Sequence, residues 1–207
     1  NQERNSMKKA IKPIIYVCAI LVVSLIRTFL CSWEVAIYDA GVEGSGYGNF
    51  GQLSGNSYIE QSFSCEMNGL EGVQVQPVTF KQTDNGTLIY QLIDKETQET
   101  VAEGTVDTAG WEDAKFTEIT FQRVEESKGR EYVLRIQADN TPDGKGISFY
   151  TTQKQEGTSL SLNGEDRDEC LVLKTVYKTF NLQEFIVFAG MMAYILLFIK
   201  LLYKFIR

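Results

Sequence analysis

Two long apolar runs, one at each end of a 207-residue chain, constrain this sequence more than any other feature. Residues 11–33 read IKPIIYVCAILVVSLIRTFLCSW and residues 183–205 read QEFIVFAGMMAYILLFIKLLYKF. Each has the length and composition of a helix that crosses a bilayer, which takes about 20 mostly apolar residues. Pro13 falls in the first turn of the first run, where its missing N–H costs nothing. Lys200 sits where its stem can carry the ammonium to the headgroups beside Lys204 and Arg207. Trp33 and Tyr203 are placed for the interfacial belts.

The charges around the runs predict an orientation. Arg4, Lys8, Lys9 and Lys12 precede the first run, and Lys200, Lys204 and Arg207 close the second. Positive charge on the outer flank of both spans puts both termini in the cytoplasm, with residues 1–10 as a basic leader. Met7-Lys8-Lys9 reads as a start of translation, with residues 1–6 upstream of it. A cleaved signal peptide is the alternative, but Phe29-Leu30-Cys31-Ser32-Trp33 is too bulky for a cleavage site, so an uncleaved anchor is expected. Arg27 interrupts the first span. It either snorkels to the outer boundary or meets an acidic group on a partner helix. Ser24-x-x-x-Thr28 and Ala189-x-x-x-Ala193 with Gly190 give each helix small residues suited to close packing.

The middle of the chain is of another kind. Residues 34–181 carry 12 Lys and Arg against 25 Asp and Glu, a net of −13. An acidic surface has nothing with which to displace counterions from phosphates, so nucleic acid is not an expected partner. The chain has no histidine, which removes the commonest general base and zinc ligand. No phosphate-cradling loop, G-x-S-x-G or CxxC motif occurs. An enzyme is not expected, and no cofactor is implied. Two acidic loops, 139–144 and 165–169, offer oxygens for a structural calcium ion, but neither has EF-hand spacing, and solvated turns are the favoured reading.

Period-2 alternation, broken by turn signals, runs through residues 57–178 and predicts an all-β domain. Ile59, Gln61, Phe63 and Cys65 alternate with Tyr58, Glu60, Ser62 and Ser64. Asp84-Asn85-Gly86, Pro142-Asp143-Gly144 and Asn163-Gly164 supply residues that accept positive φ in tight turns. Eight or nine short strands of this kind predict a β-sandwich of jelly-roll type, lying outside the cytoplasm between the two spans. Residues 34–56, rich in Gly and Ser, read as a linker, although Tyr47 and Phe50 within it would suit a loop that covers a sugar or a partner. Cys65 and Cys170 lie in the first and last recognisable strands. A disulfide between them is expected, with two separate buried thiols as the alternative. Asn85-Gly86-Thr87 is a glycosylation sequon. Trp111, beside Tyr150 or Tyr58, is either a packing residue or a stacking platform for a sugar ring.

Ile59-x-Gln61-x-Phe63, Leu70-x-Gly72-Val73, Gly86-Thr87-Leu88 leading into Leu92-x-Asp94, and Ser127-Lys128-Gly129-Arg130-x-Tyr132-x-Leu134-x-Ile136 carry a resemblance. Over residues 57–150 the chain resembles a galactose-binding/carbohydrate-binding-module β-sandwich found on Gram-positive membrane proteins of surface-polysaccharide synthesis and export. The resemblance implies a β-sandwich that binds a glycan or lipid-linked sugar, or docks on a cell-envelope polysaccharide enzyme or transporter. Two spans form no sugar pathway by themselves. The expected role is therefore an accessory subunit beside a larger multispan membrane protein. A scaffolding subunit of a transport complex with no carbohydrate ligand is the second expectation.

Overall fold

The computed structural model describes residues 15–28, 31–42, 44–81, 86–180 and 182–206. The basic leader with Met7, Pro13, the Asp84-Asn85 pair of the first turn signal and of the sequon, and Arg207 lie outside them. The chain divides into two compact units: the terminal segments 1–32 and 179–207, and the central segment 33–178.

In the terminal unit, helix α1 covers Ile15–Thr28 and α2 covers Leu182–Ile206. The 25 residues of α2 are long and apolar enough to cross a membrane. The described part of α1 is shorter than a crossing needs. Ser24 and Thr28 are both buried, so this pair is used in packing as its spacing predicts. On α2, Ala189 is half-buried but Gly190 and Ala193 are exposed. Arg27 finds its carboxylate within the chain: its guanidinium lies 3.2 Å from Glu184 Oε2 and stacks 4.6 Å from the centre of the Phe188 ring.

Among the described residues the central unit has fourteen strands: β1 (Trp33–Ala36), β2 (Gly48–Asn49), β3 (Tyr58–Ser64), β4 (Leu70–Val75), β5 (Pro77–Val78), β6 (Thr87–Asp94), β7 (Thr100–Asp107), β8 (Thr117–Val124), β9 (Glu131–Ala138), β10 (Ser148–Gln153), β11 (Ser159–Leu162), β12 (Glu165–Arg167), β13 (Glu169–Leu171) and β14 (Leu173–Tyr177). The count exceeds the eight or nine expected because several strands have only two or three residues, too short to show a period. One sheet runs β12-β11-β3-β9-β6-β7 and a second runs β1-β14-β4-β8. A smaller set runs β13-β10-β2, with β5 also on β10. Every pairing is antiparallel.

Alternation in sequence becomes rows across the six-stranded sheet. Ile59, Ile136 and Tyr90 face one another on β3, β9 and β6, as do Gln61, Leu134 and Leu92, and then Phe63, Tyr132 and Asp94. All nine are buried, and each fully buried Leu or Ile stabilises by roughly 1.5–3 kcal/mol. The core draws equally on the four-stranded sheet through Leu70, Val73, Val75, Ile119 and Tyr177. The Tyr90 hydroxyl, rising from β6, donates to Thr120 O on β8 at 3.2 Å. Gln61 is a polar residue within these rows, and its amide is fully used. Its amide donates to Ser62 O and Ser159 O, and its Oε1 accepts from the Leu171 N–H at 2.8 Å.

Three expectations are corrected here. Residues 34–56 are not a linker: β1 pairs with β14, β2 pairs with β10, and Leu53 is buried with its N–H donated to Ile147 O at 2.8 Å. Of the glycines in this stretch, Gly51 and Gly55 take a positive φ, and the close approach of chain to chain falls on the partner segment, at Gly146, where a Cβ would overlap the Leu53 carbonyl. Trp33 is likewise part of the β unit, opening β1 and packing against the core. Cys65 and Cys170 are separate buried thiols. The strands that lie side by side at the two ends of the unit are β1 and β14, not the strands of the two cysteines. Cys65 follows β3 beside the Tyr177 hydroxyl, and Cys170 sits in β13 opposite Thr152 with its thiol toward Ile37 O.

Candidate functional site

Four half-exposed rings line up on the central unit. Phe116 stacks on Tyr38 at 6.4 Å and 27°, Tyr38 meets Tyr47 edge-on at 6.3 Å, and Tyr47 tilts against Tyr150 at 6.2 Å. Each ring is placed by a different piece of backbone. Tyr38 follows β1, whose run Trp33-Glu34-Val35-Ala36-Ile37-Tyr38 alternates so that Trp33, Val35 and Ile37 pack against the core. Tyr47 is delivered by the 3₁₀ turn Gly44–Gly46, its N–H bonded to Gly44 O at 3.2 Å, just before β2 pairs Asn49 with Tyr150. Gly48 eases this approach, because a Cβ there would stand a tight 3.2 Å from Thr151 Oγ1. Phe116 enters β8, and Lys174 of β14 caps its outer face, 4.4 Å from the ring centre.

Polar groups fringe the row. The Lys174 ammonium also pairs with Glu34 at 2.8 Å. That hydrogen bond, followed by one from Gln74, holds the Glu34 carboxyl below its ordinary value. At the other end the Tyr150 hydroxyl donates to Asp113 Oδ2 at 3.4 Å, while Asp113 Oδ1 accepts from the Thr79 N–H at 2.8 Å. Burial first, and the Asp113 carboxylate second, push the Tyr150 phenol up; burial and then Tyr47 do the same to Tyr38. Both phenols therefore stay protonated and can donate hydrogen bonds throughout the neutral range.

Trp111, Tyr150 and Tyr58, expected as alternatives for one stacking platform, are not brought together. Tyr150 is in the row. Trp111 is half-buried and packs on Phe149 at 6.5 Å, and neighbouring residues of a strand point to opposite faces. Phe149 is buried and Tyr150 faces out, so Trp111 is a packing residue. Tyr58 lies on the six-stranded sheet with the Arg135 guanidinium 3.9 Å over its ring. Tyr47, whose loop the sequence marks as suited to covering a sugar, is also in the row, whereas Phe50 packs on Phe149 at 6.4 Å; Tyr38 and Phe116 are not expected from the sequence. The alternation of residues 33–38 is a signal that could have found the first of them. Among the described residues no group of three or more acidic or thiol side chains is placed to hold a metal ion.

No protein-family model and no curated protein matches the chain. Among solved structures, the chain is similar to the cysteine protease and lectin-like domains of Cwp84, a surface layer associated protein of Clostridium difficile, at 11% identity and a TM-score of 0.41. The match covers 66% of this chain and 37% of that one, so the chain spans well under half of that protein's crystallised length. A likeness this distant carries no argument about activity.

Proposed function

We propose that this chain is a non-catalytic accessory subunit of a membrane complex, whose outer domain lays a glycan or lipid-linked sugar along the row Phe116–Tyr38–Tyr47–Tyr150. In this reading the central unit is a jelly-roll β-sandwich, α1 and α2 lie in two spans, both termini are cytoplasmic and the domain lies outside. A larger multispan cell-envelope enzyme or transporter is the partner. The row of half-exposed rings is the observation that supports it. The faces of such rings are electron-rich and attract the weakly positive C–H face of a pyranose, while hydroxyls and carboxylates at the rim meet its oxygens. The acidic surroundings favour neutral or amino sugars over anionic ones.

The test is a glycan array probed with the full chain in nanodiscs, comparing wild type with Tyr47→Ala and Tyr150→Ala. Retention of a glycan that falls at least tenfold in both variants is the expected result. Retention of no glycan, or equal retention by all three proteins, would overturn the reading. The scaffolding alternative draws on Gly190, where an added Cβ meets nothing within 4 Å, and on exposed Ala193 beside it. These leave a flat strip on α2 for a partner helix. One stable membrane partner, lost on Gly190→Leu, together with an empty glycan array, would favour that reading.

A further inference from the structure

The edges of the sheets are unequally protected. At one edge of the six-stranded sheet β12 is three residues long, fully exposed and charged (Glu165, Asp166, Arg167), which discourages another strand from pairing. The four-stranded sheet has the short strand β1 at one edge. The remaining edges of these two sheets, β7 and β8, are eight residues each and border one another. Among the described residues β7 pairs with β6 alone and β8 with β4 alone, so no ladder joins them. Between them is a shallow open cleft of about 280 Å³ lined by Thr100, Val101, Ala102, Glu103, Phe121 and Gln122. Beside it the Tyr90 ring lies against Phe121 at 6.3 Å and close to Gly104, where a Cβ would stand 2.7 Å from the Tyr90 hydroxyl.

We propose that this seam is a strand-addition site, in which an extended, basic segment of a partner protein pairs with the free edge of β7. The outward residues of β7 beyond Val101 are Glu103, Thr105 and Asp107; a bulge at Val101 interrupts the alternation, and Glu99 is exposed just before the strand. An unpaired edge supplies backbone donors and acceptors, and alternate side chains of the incoming strand set specificity. Here those positions ask for Lys or Arg opposite Glu99 and Glu103, and for an apolar residue beside Val101 and Phe121. The same charges argue against a second copy of this chain, which would bring its own Glu99, Glu103 and Asp107 against these.

The experiment uses the full chain in nanodiscs of uncharged lipid and a fluorescent ten-residue peptide alternating Lys with Val and Thr. Fluorescence anisotropy measures binding, and amide hydrogen exchange locates it. Three analogues accompany it: one with Glu for Lys, one N-methylated at alternate amides, and the unlabelled parent as competitor. The expected result is saturable, competed binding with slowed exchange over residues 100–107, absent for the acidic and N-methylated analogues. Glu103→Lys and Glu99→Lys, both at exposed positions, should each weaken it at least tenfold. No binding below about 1 mM, equal binding of the N-methylated analogue, or protection confined to other strands would overturn the proposal. None of these outcomes depends on whether a glycan binds the aromatic row.

Discussion

Asp94 ends the third buried row of the six-stranded sheet and also builds the turn into β7. Its Oδ1 accepts from the Glu96 and Thr97 N–H groups at 3.0 and 3.1 Å, and its Oδ2 receives Arg130 at 3.3 Å. The Thr97 N–H above all, with Glu96 and Arg130, holds this carboxyl below the ordinary aspartate value despite desolvation. A depressed folded value means the stabilisation is fully present above the unfolded value of about 4 and is lost as pH falls through the folded one. Asp94→Ala should cost about 1–3 kcal/mol in urea denaturation at neutral pH. The gap to wild type should narrow as the pH drops below about 4. A gap unchanged between neutral and strongly acidic pH would show that the carboxylate charge is not its source. The buried thiols titrate the other way. Burial pushes Cys65 and Cys170 each up to about 11, so both are protonated and unreactive at neutral pH. A thiol reagent should label them only after unfolding, and a non-reduced peptide map should contain no link between them.

At the scale of elements, β3, β6 and β9 were legible because alternation is local: Ile59, Gln61 and Phe63 fall on the buried face as their spacing predicts, and Leu88/Tyr90/Leu92 and Tyr132/Leu134/Ile136 follow the same period. The two strands before residue 57 were not. Their partners lie far along the chain, with Glu34 opposite Val176 and Gly48 opposite Thr151, and no local pattern reports such a pairing. The glycines that permit close approach also lower the hydrophobicity that would have marked strands. Tyr47 and Tyr150 stood out singly, but the row as a whole was hidden for the same reason, since its four rings come from separate pieces of backbone. Leu53→Ala should therefore behave as a core truncation, costing about 2–5 kcal/mol by chemical denaturation. A fragment spanning 33–178 should unfold cooperatively, whereas one beginning at 57 should not. Equal cooperativity in both would return residues 34–56 to the status of a tether.

On the scale of the whole molecule, the hydrophobic ends were plain in the sequence, and the acid that meets Arg27 was not. Glu184 opens the second apolar run, where it reads as an ordinary interfacial residue rather than as a counter-ion. Glu184→Leu leaves a guanidinium without its carboxylate and should lower the melting temperature of the detergent-solubilised protein. The swap Arg27→Glu with Glu184→Arg should recover most of that loss. A swap no better than either single change would show that the pair contributes nothing. The register of the outermost strands has a different consequence. Trp33 lies directly opposite Tyr177, so the polypeptide enters and leaves the β unit at one spot. Such a unit is a cassette: it can be lifted out and its cut ends joined by a few residues, or grafted into a tight loop of an unrelated host. Under tension applied through its flanks it would open like a zipper from that spot, one rung at a time, rather than by sliding strands past each other.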